Sequence, residues 1–367
     1  MKLKKSLSMV LLATISSVIS YRGSREEVCN SKSSVMTPRR EVLENALRQI
    51  EDYKFDPVAG NGFEHDRVEE ANASLFDSSH LSEPLTNYAV GWRDTTGIDE
   101  ALAFFAPDVP VGMRFEFRQF VNADDFETDT DDARAIGGDF PSVKETGSMV
   151  TDKLVNRGLQ ICVDEDEVND DPNWRERKVG KLLRRLKRNA LLRATAIIDQ
   201  AALDTAVTWD ATAGKDPDQD VENMLAAAMD SSGMSCNRVA FGETARLKRK
   251  LSIRAQTHAG GFANAGMNAA DLASYYGIDE VLFAKSRYGI GATKTRVMAA
   301  KVYAFTAFAG LGAEDPSNLK RFYRLLDGQR YRVYEWRDGA KNYRIAVEHY
   351  EKIKLTSTLG IRKLTVS

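Results

Sequence analysis

The segment Asn173-Trp174-Arg175-Glu176-Arg177-Lys178-Val179-Gly180-Lys181-Leu182-Leu183-Arg184-Arg185-Leu186-Lys187-Arg188-Asn189-Ala190-Leu191-Leu192-Arg193-Ala194-Thr195-Ala196-Ile197-Ile198-Asp199-Gln200-Ala201 carries the strongest periodic signal in the chain. Asn173 and Glu176 have capping-box spacing, with Pro172 just ahead, and mark a helix start. Val179, Leu183, Leu186, Ala190, Ala194, Ile197 and Ala201 then recur at steps of three and four, an apolar stripe. A helix from 174 to about 205 is on the order of 45 Å long. Few compact domains of this size need such a rod. Opposite the stripe, Arg177, Lys181, Arg184 and Arg188 share one face. That face is either simply solvated or turned toward a polyanion, to which each cation adds a salt-sensitive increment. It lacks the aromatic interleaving and the Asn/Gln pairs of an element that reads bases.

C-terminal to the rod, residues 211–310 read as a mixed α/β unit. Asp218 to Met229 is helical and stopped by Gly233, Arg238-Val239-Ala240-Phe241 is a strand, and Glu243 to Leu251 is again helical. Asn268 to Tyr276 makes a helix ended by Gly277, and Val281-Leu282-Phe283-Ala284 makes a strand. After Asp315-Pro316 the chain turns β-rich. Arg332 to Trp336 and Asn342 to Val347 flank Asp338-Gly339, a hairpin turn pair. N-terminal to the rod, Met113 to Phe120 alternates apolar and polar, and a second extended stretch runs from Val150 to Val163 with Gly158 inside it. The long acidic, glycine-containing excursion between them predicts a protruding hairpin arm.

The first 82 residues differ from the rest. Lys2, Lys4 and Lys5 precede the apolar run Leu7 to Ile19, the shape of a secretory signal. The alternative is a removable leader or an over-long start over 1–35, with the folded chain beginning near Met36. The run is short of the roughly 20 apolar residues of a membrane-spanning helix, and no other segment is predicted to cross a bilayer. Residues 36–82 read as an extension, with one short amphipathic helix over 41–53.

Composition sets the outer limits. The 367 residues are 43% hydrophobic and 28% charged with a formal net charge of −2, which excludes wholesale disorder and a globally basic nucleic-acid binder. Three cysteines exclude a disulfide scaffold, and four scattered histidines offer no metal cluster. Gly289-Ile290-Gly291-Ala292-Thr293-Lys294-Thr295 lacks the glycine that a phosphate loop places before its lysine. Gly260-Gly261 lacks a nucleophile elbow, and the acidic runs 124–132 and 164–171 lack calcium-loop register. No catalytic residue, cofactor site or metal site is expected. The near-zero net charge is itself a sum of blocks: residues 122–171 hold 15 acidic and 4 basic side chains, whereas 174–193 hold 9 basic and 1 acidic.

The order of several short motifs resembles one family. Leu85-Thr86-Asn87-Tyr88-Ala89 before Val109-Pro110-Val111-Gly112 is similar to the start of the N-arm in tailed-bacteriophage major capsid proteins. Phe120-Val121-Asn122-Ala123-Asp124-Asp125-Phe126, Ala133-Arg134-Ala135-Ile136-Gly137-Gly138 and Arg157-Gly158-Leu159 follow in the family's order, ahead of an acidic segment and a long basic helix. Asn237-Arg238-Val239-Ala240-Phe241-Gly242 resembles the axial-domain segment, and Asp271-Leu272-Ala273-Ser274-Tyr275-Tyr276-Gly277-Ile278-Asp279-Glu280-Val281-Leu282 the helix-glycine-strand step after it. The resemblance covers roughly residues 83–367.

That resemblance implies an α+β fold of the Hong Kong ninety-seven type: N-arm (83–112), extended β-hairpin loop (113–160) and peripheral domain with the spine helix (161–210). An axial domain (211–310) and a C-terminal β-rich return to the peripheral domain (311–367) complete it. It implies a non-enzymatic subunit that self-assembles through hexamers and pentamers into an icosahedral phage or prophage head enclosing double-stranded DNA. The head would form in the bacterial cytoplasm, with scaffold, portal and decoration proteins as further partners and no membrane. Packaged DNA would meet the face of Arg177, Lys181, Arg184 and Arg188 by non-specific contact. Three rivals stand beside it: an encapsulin-like compartment of the same fold, a secreted enzyme or binding protein if residues 1–20 work as a signal, and a DNA-binding regulator using the basic helix.

Overall fold

The structure is a computed structural model that describes residues 80–119, 134, 148–168, 170–212, 214–256, 261–289, 292–310 and 315–367. They belong to one of the chain's two units, Ser78–Ser367. The leader (1–35), nearly all of the extension (36–82), the acidic run 124–132 and the motifs at 120–126 and 133–138 apart from Arg134 lie outside the described residues. So do Gly260, Ile290 and Gly291.

Two short helices lead in, α1 (Glu83–Gly91) and α2 (Ile98–Phe105), followed by β1 (Asp108–Pro110), β2 (Arg114–Arg118), β3 (Met149–Lys153) and β4 (Val155–Asp164). The rod is α3 (Trp174–Ala201), and β5 (Leu203–Val207) follows it directly. Next come α4 (Pro217–Ser232), β6 (Arg238–Gly242), α5 (Glu243–Ala255), α6 (Gly261–Gly266), α7 (Ala269–Tyr276) and β7 (Glu280–Ala284). The remainder is strand: β8 (Arg287–Tyr288), β9 (Thr295–Arg296), β10 (Lys301–Phe305), β11 (Leu319–Arg324), β12 (Arg332–Asp338), β13 (Asn342–Leu355) and β14 (Arg362–Val366).

Two five-stranded sheets organise these elements. The first is built on the 14-residue strand β13, which takes β12 and β11 end to end along one edge and β4 along the other. β1 extends it in parallel with β11. The second runs β5-β14-β10-β6-β7. The C-terminal segment therefore divides between the sheets: β11 to β13 join the first, and β14 pairs in parallel with β5 in the second. Helix α3 lies against β13 and β4 of the first sheet and ends where the second begins. Its N-terminal half fills a core with Leu85, Val333, Ile345 and Val347, and its C-terminal half fills another with Leu102, Phe105, Phe305 and Ile353.

The rod stops at Ala201 and not near 205. Ala202 is extended, and Leu203-Asp204-Thr205-Ala206-Val207 pairs in register with Arg362 to Val366, so sheet hydrogen bonds replace the next helical turn. The expected capping box is also absent. Asn173 makes no side-chain cap; its own N–H donates to Asp171 Oδ1 at 3.1 Å. The extended stretch Val150–Val163 is two strands. β3 pairs antiparallel with β2, forming the base of the predicted arm, while β4 turns into the first sheet. Leu154, buried between them, packs with Phe115, Phe117 and Phe322.

The helices and strands expected after the rod are present. α4 ends at Gly233 with φ 72° and α7 at Gly277 with φ 65°, left-handed positions that favour glycine. α7 has the capping box that α3 lacks, between Asn268 and Asp271. At the β12–β13 turn the register opposes Asp338 and Asn342, so three residues connect the strands, and Gly339 takes the left-handed conformation at φ 82°.

Candidate interaction surface on the long helix

The exposed side of α3 is decided by what packs on the rest of it. Val179, Leu183, Leu186, Ala190 and Ala194 are buried as their periodicity predicts. Leu182, Leu191 and Ile198 are buried too, so the apolar band is wider than one stripe. Gly180 is buried as well, because Trp92 lies over it; a Cβ there would meet Trp92 Nε1 at 3.0 Å. The indole carries two cations of the next helical turns: Arg184 Cζ lies 5.6 Å and Lys187 Nζ 4.7 Å from its ring centre.

This packing sorts the four basic residues of the sequence reading. Arg177 pairs with Asp171. Arg184 donates from Nε to Asp94 Oδ1 at 3.1 Å. Lys181 is exposed, and Arg188 is half-buried with an Nε that has no partner among the described residues. Helical spacing sets Lys178 and Arg185 in line with Lys181 and Arg188, at steps of three and four along the outer side. None of these four forms an ion pair among the described residues. The solvent stripe is therefore Lys178, Lys181, Arg185 and Arg188, turned away from the buried band; Arg177 and Arg184 lie on its flank. Lys178 and Arg185 were legible only by centring the wheel on the full buried band, which the sequence stripe understated.

A second set of charges lies beneath the helix, between its two cores. His349 and Glu351 point from β13 toward α3, and His349 Nε2 lies 3.3 Å from Glu351 Oε2. Arg193 of α3 pairs with Glu351. Asp108 takes Arg321 and the Arg330 guanidinium, the latter with Nη1 at 2.7 Å. Lys187 Nζ donates to Asp99 Oδ2 at 2.9 Å. Burial would raise the Glu351 carboxyl, but His349 and the charges of Arg321 and Arg193 hold it down at about 2. Burial pushes His349 below its ordinary value, against the pull of Glu351 and aided by Arg330 and Arg321. The imidazole is thus neutral at pH 7, donating to an ionised Glu351. These groups are a structural belt, matched within the chain and screened from ligands by α3.

Among the described residues no group of histidine, cysteine, aspartate or glutamate could hold a metal ion. Cys236 is buried, and burial drives its thiol up to about 11 against Thr306 and Arg362, so it is a packing residue and not a nucleophile. No described helix is long and apolar enough to cross a membrane. What the geometry offers is a 28-residue helix with one continuous cationic stripe along its outer side.

No family model matches the sequence, and no curated protein matches it. Solved structures do. A phage-related protein from Bordetella bronchiseptica RB50 superposes with a TM-score of 0.56 at 19% identity, covering 77% of this chain and 96% of that one. The capsid structure of the cyanophage P-SCSP1u gives a TM-score of 0.48 at 9% identity over 72% of this chain and 86% of that one. A structure from Gordonia phage Cozz gives 0.45 at 13% identity, over 92% and 99% respectively. The first of these shows a shared fold, the α+β arrangement that the ordered motifs pointed to.

Proposed function

We propose that the chain is a major capsid protein, a non-enzymatic subunit that self-assembles into an icosahedral phage or prophage head around double-stranded DNA. The supporting observation is the coincidence of ordered family motifs with the elements they should occupy. Arg157-Gly158-Leu159 sits on β4, the basic run on the 28-residue α3, and Arg238 to Gly242 on β6 running into α5. A phage-related protein has the same fold. Fold alone does not give function; the motifs and the cationic rod supply the rest.

In this reading 83–112 is the N-arm, 113–160 the extended loop, 161–210 the peripheral part with the spine helix, and 211–310 the axial part. The C-terminal 311–367 returns to the peripheral part, while β14, paired with β5 from the end of the 161–210 range, joins the sheet of the axial part. Copies of the chain form hexamers and pentamers. Packaged DNA meets the stripe Lys178, Lys181, Arg185 and Arg188, with Arg177 and Arg184 at its edge. Scaffold, portal and decoration proteins are the remaining partners, and assembly takes place in the bacterial cytoplasm.

Negative-stain microscopy and sedimentation of the expressed chain test the reading. Closed particles tens of nanometres across holding double-stranded DNA are expected; a chain that stays monomeric under all assembly conditions overturns it. Particles filled with a cargo protein in place of DNA would point to a compartment of the same fold. The stripe has its own test. Replacing Lys178, Lys181, Arg185 and Arg188 with Gln should lower the salt slope of duplex-DNA binding by about 3.6. An unchanged slope would remove the stripe from the DNA contact.

A further inference from the structure

Helices α4 and α5 carry opposite charge. α4 has four acidic residues and no basic one; α5 has five basic residues and one acidic. Within the chain a single ion pair joins them, Arg249 Nε and Nη2 to the two carboxylate oxygens of Asp218 at 2.6 and 2.9 Å, buried and reinforced by Tyr276. Of the remaining charges, Glu222 and Asp230 on α4 and Arg254 on α5 are exposed, Lys248 and Lys250 on α5 are half-buried, and none of these five has an ion-pair partner among the described residues. Each outer face also shows apolar side chains to solvent. Leu247 and Leu251, one turn apart on α5, are 51% and 54% exposed, and Met229 on α4 is 51% exposed.

The geometry forbids these faces from meeting inside one chain. Leu247 and Leu251 lie two residues to either side of Arg249, which at about 100° per residue puts them on the side of α5 opposite the one that faces α4. Two faces of opposite charge, of which the one on α5 is turned away from α4, can meet only between copies, as a head-to-tail contact.

We infer that the Leu247/Leu251 face of α5, with its flanking lysines, docks on the acidic outer face of α4 in a second copy of this chain. Repeated around an axis, the contact closes a ring. The inference rests on the shell reading for the closure and goes beyond it in naming the surfaces that meet.

Two full-length variants test it, Lys248→Glu/Lys250→Glu and Glu222→Lys/Asp230→Lys, each checked by circular dichroism for a parent-like melt. Each alone places like charges at the contact and should raise the concentration needed for capsomer-sized oligomers at low salt by at least about ten-fold. Mixed in equal amounts, the two restore complementarity, and even-numbered rings should return in sedimentation velocity. Leu247→Ser/Leu251→Ser should weaken oligomers at every salt concentration. If the single variants oligomerise as the parent does, or the mixture of folded variants stays dissociated, the pairing is wrong while the shell reading stands. A parent chain that never oligomerises defeats both.

Discussion

Glu351 is the most consequential single residue in the interior. Its native pKa of about 2 lies below the ordinary carboxylate value, so it stabilises the fold fully above that ordinary value. That contribution, on the order of 3 kcal/mol, disappears as the pH falls toward 2. His349 acts in the same direction: it is neutral when folded and protonates when unfolded, so stability also drops as pH falls below the ordinary histidine value. Urea unfolding should therefore show a loss of stability from about pH 6.5 downward. Glu351→Gln should flatten the acid limb near pH 3 while costing about 3 kcal/mol or more at pH 7, since Arg193 loses its counter-charge. Asn318 has a different role. Its side chain accepts from Thr306 N–H at 2.7 Å and donates to the carbonyls of Ser357 and Leu359 at 3.2 and 2.7 Å. Asn318→Ala leaves two buried backbone groups and one part-buried one without their partner and should cost about 3 kcal/mol, read as a lower urea midpoint with unchanged slope. None of these roles was legible in the sequence. Asp108, Arg193, Arg321, Glu351 and Asn318 sit in ordinary local patterns, and only the sheet brings their partners together.

The elements show where local pattern suffices and where it fails. α7 formed as read because its start and stop chemistry is local: Asn268 and Asp271 at one end, Gly277 at the other. α5 starts with no side-chain cap. Its first N–H groups are instead met by the Ala299 carbonyl, which takes Thr244 N–H at 2.9 Å and Ala245 N–H at 3.3 Å. Gly242 makes room for that carbonyl, since a Cβ would lie 2.5 Å from Ala299 O. Gly242→Ala should accordingly destabilise by about 3 kcal/mol, measured as a drop in melting temperature. On α3, Gly180 has no turn to make; it admits the Trp92 ring. Gly180→Val should cost about 2 kcal/mol despite the better helix propensity of valine. Fluorescence of Trp92 against the other three tryptophans, assigned by Trp92→Phe, would show the ring displaced. The end of the rod was misread because sheet pairing with a strand some 160 residues later overrode the helical pattern.

Across the whole molecule, charge is arranged by surface. Among the described residues three sets of charge stand out: the buried belt, the outer stripe of α3, and the opposed charges of α4 and α5. Local sequence determined the rod, most of the strands and helices after it, and their order, because helical periodicity, caps and turn glycines act within a few residues. The motif order was also in the sequence, and with it the phage-head reading. Tertiary structure alone decided which cations remain free: Lys181 and Lys187 belong to the same basic, leucine-rich run, but Lys187 is buried against Trp92 and bonded to Asp99 while Lys181 is exposed. It also decided where the rod ends and which sheet receives the last strand, because those choices are made by backbone hydrogen bonds to segments far along the chain.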